Sequence, residues 1–138
     1  MGTALHATTV AIAGQGVLIR GASGAGKSSL ALRLIGLGAV LVADDQTWLE
    51  RQGDSLVASC PPTLRGLIEA RGLGLLNAPF CDTARLGLVV DLDLHEPDRL
   101  PPWRTTMVEG VTLPLVLAQR TDHFAWGLMH LARHGRRE

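Results

Sequence analysis

The stretch Gly21-Ala22-Ser23-Gly24-Ala25-Gly26-Lys27-Ser28-Ser29 (GASGAGKSS) holds the only lysine of the chain; every other basic side chain is an arginine. Residues 21 to 28 fit the pattern G-x-x-x-x-G-K-[ST], which carries a mechanism when a strand precedes it and a helix follows. Both are expected here. Val17-Leu18-Ile19 is a short apolar run of strand type, and Leu30, Leu34 and Leu37 recur at helical spacing over residues 28 to 37, closed by Gly38. The glycines let successive backbone N–H groups turn inward around phosphate oxygens, and the helix N-terminus adds favourable partial charge. A compact ammonium on a flexible stem follows terminal phosphates as charge shifts, whereas a guanidinium fork demands fixed, planar partners. The segment Gly21 to Ser28 is therefore the expected phosphate-binding loop, with Ser28 offering a hydroxyl to Mg²⁺.

Working outward, residues 5 to 12 read as a strand, joined to 17–19 through a turn at Gly14-Gln15-Gly16. Val40 to Ala43 is a buried-type strand ending in Asp44-Asp45. A strand–helix–strand unit with a right-handed crossover makes its two strands parallel, which brings Gly21 and Asp44 to one sheet edge. Two carboxylates there can steady Mg²⁺ and accept a proton from an attacking hydroxyl, although alternation along a strand points only one of them at the substrate. Aspartate is also an ordinary turn residue at a strand end. Asp91 and Asp93, in LVVDLDL, form a competing acidic strand end, and the crossover geometry favours Asp44-Asp45.

The rest of the chain reads as strands over 46–50 and 55–58 around Gly53-Asp54, a short helical segment near 64–69, and a glycine-rich loop over 71–79. A strand over 86–94, a surface loop over 95–104 and an edge strand over 111–118 follow, the last because Pro114 has no N–H to donate. A final helix, capped by Asp122, carries Phe124, Leu128, Leu131 and Ala132 on one face. The expected fold class is α/β, one domain over residues 1–138.

Acidic and basic side chains number 13 each, and the formal net charge is +0, so no bulk field attracts a nucleic acid or an acidic membrane. No uncharged apolar run is long enough to span a bilayer, and the N-terminus has no secretory pattern. Cys60 and Cys81 are isolated, which suits buried thiols in a reducing cytoplasm. His130 and His134 lie one helical turn apart with His123 nearby, but no H-E-x-x-H pattern or neighbouring cysteine supports zinc. Trp48, Trp103 and Trp126 are read as packing or interface residues.

HATTVAIAGQGVLIRGASGAGKSSLALRLIGLGAVLVADD followed by IEARGLGLL resembles the catalytic, C-terminal domain of HPr kinase/phosphorylase, closely over residues 5 to 77. The resemblance rests on ordered pieces: a histidine before the hairpin, the phosphate loop, the paired aspartates and E-x-R-G-x-G. It implies a P-loop nucleotide-binding fold with a mixed sheet, similar to phosphoenolpyruvate carboxykinase, and an ATP- and Mg²⁺-dependent serine kinase acting on an HPr-like phosphocarrier protein. By the same resemblance Lys27 stabilises charge, Ser28 and Glu69 support Mg²⁺, and Asp45 is the general base with Asp44 assisting. His6 and Arg71 complete the implied active site, and the assembly is a homo-hexamer.

The chain looks like the short proteobacterial form of that family, without the N-terminal domain of long members. The C-terminal loop of long members carries an arginine after glycine where this chain reads Glu109-Gly110-Val111, so that residue is not carried over and the kinase direction is the firmer implication than reverse phosphorolysis. Two other readings stand beside it. One is a P-loop kinase for a small metabolite; the other is a non-catalytic nucleotide-sensing module, against which the two aspartates weigh.

Overall fold

The computed structural model describes residues 2–138. Eleven strands and two helices follow in order: β1 (Thr3–Leu5), β2 (Ala7–Ile12), β3 (Gln15–Arg20), α1 (Lys27–Gly36), β4 (Val40–Ala43), β5 (Thr47–Gln52), β6 (Ser55–Ser59), a 3-10 turn (Pro62–Leu64), β7 (Leu67–Ala70), β8 (Gly74–Asn77), β9 (Ala84–His95), β10 (Arg104–Val108), β11 (Val111–Ala118) and α2 (Phe124–His134). Nine strands form one mixed sheet in the order β1-β5-β6-β9-β3-β2-β4, with β11 and then β10 also built onto β9. The fold is α/β with a curled mixed sheet.

The centre of the sheet decides where the chemistry can sit. β2 is antiparallel to both β3 and β4, so those two run parallel to each other with β2 between them. β9 is parallel to β3, and β11 is parallel to β9. The carboxyl ends of β3, β4, β9 and β11 therefore share one edge, the edge where open α/β sheets hold ligands.

Alternation along the central strands supplies the two sides of the core. Val17 and Ile19 face Leu30, Ala31 and Leu34 of α1 and Ala125, Leu128 and Met129 of α2. Leu18, between them in sequence, faces the opposite way toward Leu49, Leu56, Val108, Val111 and Leu113, where the outer strands curl over the second face. Helix α1 forms because the apolar positions recur every three to four residues, and it stops where Gly38 (φ 113) turns the chain back toward Ala39, whose N–H bonds Leu34 O.

Several expected elements differ. The turn between β2 and β3 is Ala13-Gly14, both at positive φ, as a two-residue type I′ turn requires, and Gln15 and Gly16 belong to β3. The first strand is broken at His6 into β1 and β2, because β1 pairs with β5 and β2 with β3 and β4. The short helical segment expected over 64–69 shrinks to the 3-10 turn that ends at Leu64: beyond it Ile68 and Ala70 are buried while Glu69 is exposed, a period-two pattern, and β7 pairs antiparallel with β8, which replaces the expected loop. β11 is not an edge strand. It lies between β10 and β9, and Pro114 falls in the half that pairs with β10 alone, before the β9 pairing begins at Leu115.

Asp122 does not cap α2. The N-cap is His123 with no side-chain bond, since Phe124 N donates to Thr121 O and Gly127 N to His123 O. Cys60 is buried and Cys81 half-buried; burial pushes both thiols above their usual range. The tryptophans are less packed than expected, with Trp103 and Trp126 about two-thirds exposed, and Trp103 lies under the Arg136 guanidinium at 4.3 Å. No helix among the described residues is long and apolar enough to cross a membrane.

Candidate functional site

The loop from Gly21 to Gly26 leaves β3 and enters α1 at Lys27. Gly24 (φ 84) and Gly26 (φ 101) hold left-handed conformations that a side chain would resist, and Gly26 is the N-cap of α1. Lys27 is buried to 6% exposure, with Nζ donating to Gly21 O at 2.8 Å and Ala22 O at 3.1 Å. The ammonium is thus held against the loop that it would serve. Ala22 N donates to both oxygens of Asp93, at 3.0 and 3.1 Å, so an acidic side chain from near the end of β9 already rests on the second amide of the loop.

On the other side, Ser28 at the start of α1 donates its hydroxyl to Asp44 Oδ1 at 2.6 Å. The same oxygen accepts from Thr8 Oγ1 at 3.0 Å, and Oδ2 accepts from the Glu69 backbone N–H at 3.1 Å. Thr8 in turn accepts from Asp45 N at 3.1 Å, and His6 Nε2 meets Asp45 Oδ1 at 2.6 Å. Asp44 and Asp45 lie past the end of β4, and Asp45 has φ 65. Strand alternation therefore does not govern them, and the expectation that only one could face the site gives way: both are bonded from residues 6 and 8 of one chain segment.

Of the expected site residues, the structure brings Lys27 and Ser28 to the loop and joins Ser28, Asp44, Asp45 and His6 into one hydrogen-bonded group. Glu69 reaches this group through its backbone amide, while its side chain is exposed. Arg71 lies exposed in the turn between β7 and β8 and forms no hydrogen bond or ion pair with the group among the described residues. Thr8 was missed in the sequence. Its signal was the pair Thr8-Thr9 in a strand whose other residues are apolar; both are fully buried, and each hydroxyl needs a partner.

Asp91, the other acidic strand end, pairs with Arg20 Nε at 3.0 Å and accepts from Asp93 N at 2.9 Å. Further along the same edge Glu96 takes two bonds from Arg104, each 2.9 Å, which hold its carboxyl below the usual range.

The donor set suits a small hard cation with phosphates. Ser28 Oγ and Asp44 offer oxygen ligands side by side, and no group of three or more His, Cys, Asp or Glu side chains among the described residues forms a full protein cage. Mg²⁺ ordinarily takes one or two protein oxygens and completes its shell with water and phosphate.

A phosphate loop between a strand and a helix, at the carboxyl edge of a mixed α/β sheet with acidic side chains beside it, defines a P-loop-type nucleotide-binding fold. A family model described as the HPr Serine kinase C-terminal domain matches residues 1–93, and the chain belongs to that family. It is 43% identical over 105 residues to an HPr kinase/phosphorylase of Geobacillus kaustophilus, covering 70% of this chain and 34% of the relative. It is 42% identical over 127 residues to one of Aromatoleum aromaticum, covering 83% of this chain and 40% of the relative. The chain thus spans less than half the length of these curated relatives. Among solved structures, the Hpr(Ser) kinase/phosphatase from Coxiella burnetii superposes with a TM-score of 0.80 at 28% identity, covering 95% of this chain and 94% of that one.

Proposed function

We propose that this chain is an ATP-dependent serine kinase that phosphorylates an HPr-like phosphocarrier protein. The observation that carries the reading is the grouping of Lys27 and the loop amides with Ser28–Asp44 and Asp45–His6 at one sheet edge. Membership of the HPr serine kinase family supports the choice of substrate class.

In this reading the loop amides and Lys27 bind the phosphate chain and orient the terminal phosphoryl group, the positioning on which phosphoryl transfer depends. Ser28, with Asp44 beside it, would hold Mg²⁺, which supplies charge neutralisation across the phosphates. Asp45, exposed and paired only with His6 among the described residues, accepts the proton of the incoming serine hydroxyl. His6 orients that carboxylate. Glu69, whose backbone amide already rests on Asp44, would be the further support for Mg²⁺, and Arg71, exposed in the β7–β8 turn, would serve the transfer. A homo-hexamer belongs to the same reading, supported by family resemblance and by exposed Leu100, Trp103, Met107 and Trp126; light scattering measures it.

The test is incubation with ATP, Mg²⁺ and a purified HPr-type carrier, followed by phosphoserine detection. Phosphoserine on the carrier is expected. Transfer to a low-molecular-weight hydroxyl with an unmodified carrier would replace this reading with a metabolite kinase, and nucleotide binding without any transfer would replace it with a sensing module.

A further inference from the structure

The parallel strands β3, β9 and β11 finish side by side. Arg20, the residue before the phosphate loop, is in register with Asp91, and Asp91 is in register with Leu117. Leu117 therefore lies two strand spacings, roughly 10 Å, from the start of the loop. There the strand ends open into a cleft of about 310 Å³ between β11, the 96–104 connection and the first turn of α2. That volume lies within the range of small-molecule sites. It is also at the edge where parallel sheets bind ligands.

The two sides of the loop are not equivalent. The β2/β4 side is occupied by Asp44, Asp45 and His6, groups suited to a cation and to a hydroxyl that gives up a proton. A purine ring needs an apolar slot and a few fixed hydrogen-bonding groups. The cleft has both. Val116, Leu117 and Phe124 supply apolar surface, and Thr121 stands exposed at the mouth. Gln119 is held by a 2.8 Å bond from Nε2 to Glu96 O, which fixes its amide and leaves Oε1 as an acceptor with no partner among the described residues.

We propose that this cleft receives the nucleoside end of the nucleotide, with the purine ring against Val116, Leu117 and Phe124 and a polar edge within reach of Gln119. The proposal rests on the phosphate loop holding a nucleotide, as argued above. The separation across β9 matches it, since the reach from a loop-bound phosphate through a ribose to a purine ring is of the same order as the two strand spacings.

Isothermal titration with Mg-ATP and, separately, with Mg-tripolyphosphate tests it, because the second probe has no nucleoside. Thr121→Trp fills the mouth of the cleft. Its ATP affinity is expected to fall at least tenfold while tripolyphosphate affinity stays at the wild-type value, which also shows that the variant is folded. Unchanged ATP affinity in that variant, with tripolyphosphate still bound, overturns this proposal and leaves the phosphate loop intact. Failure of the wild-type protein to bind tripolyphosphate overturns the phosphate reading, and this proposal with it. In the unmodified protein, 2-azido-ATP photolabelling is expected to mark the peptide containing residues 115–124; labelling confined to residues 40–80 overturns the proposal.

Discussion

On the β2/β4 side of the phosphate loop, among the described residues, the Asp44 carboxylate is bonded only by neutral donors, namely two hydroxyls and an amide, and the Asp45 carboxylate has only His6. On the β9 side, Asp91 and Glu96 each face an arginine, and Asp93 is bonded to backbone. A carboxylate satisfied by neutral donors keeps its charge for a cation or a proton, whereas one paired with a guanidinium is neutralised and acts as a brace. Sequence alone presented two acidic strand ends of similar appearance. Their company, not their position along a strand, separates a reactive edge from a structural one.

Replacing Lys27 tests both sides at once, since each is arranged around the loop. Lys27→Ala is expected to lower phosphoryl transfer by more than a hundredfold with little loss of folded signal in circular dichroism; undiminished transfer would place the chemistry elsewhere. On the reactive side, Asp45→Asn is expected to reduce kcat by roughly a hundredfold or more while nucleotide affinity by calorimetry stays the same. A loss confined to nucleotide affinity would move Asp45 from proton transfer to binding.

The β9 side predicts an effect of opposite sign. Asp93→Asn keeps an acceptor for the Ala22 amide but removes a negative charge beside the loop, so nucleotide affinity is expected to rise by about two- to fivefold, more at low salt than at high. A fall in affinity would show that the charge itself is needed to shape the loop. The smallest effect concerns the Glu96–Arg104 brace. Because the arginine holds the Glu96 carboxyl below its ordinary value, the unfolded chain takes up a proton first as pH falls. The stability from this pair is present above about pH 4.3, the ordinary glutamate value, and is lost as pH drops through the depressed folded value. Glu96→Gln is therefore expected to lower Tm by a few degrees at pH 7, with the gap to wild type closing below about pH 4.

The phosphate loop, the flanking β3 and α1, and the common edge of β3 and β4 were legible because each depends on short-range rules: glycine at special φ, helical spacing, and the parallel direction imposed by a crossover. What the crossover argument could not supply was β2 inserted between those strands, a fact of long-range pairing. The β7–β8 hairpin escaped for a related reason. Four-residue strands punctuated by Gly66, Gly72 and Gly74 show too little alternation to announce themselves, and their place depends on Leu41 and Asp44, far away in sequence. β10 was missed although Glu109-Gly110, both at positive φ, is the turn that closes it onto β11. At the site, Ser28, Asp44 and Asp45 were named from their types and order. The Thr8 bridge between the aspartates and the Asp93 contact with Ala22 depend on three-dimensional approach alone.

The amide of Glu69 leans on the same carboxylate that Ser28 does, although it belongs to a separate two-stranded ribbon. A cation that recruits Asp44 Oδ2 would release that amide to solvent. Deuterium uptake at this one position, four residues from exposed Leu73 at the ribbon's tip, would then serve as an internal gauge of whether the metal seat is filled.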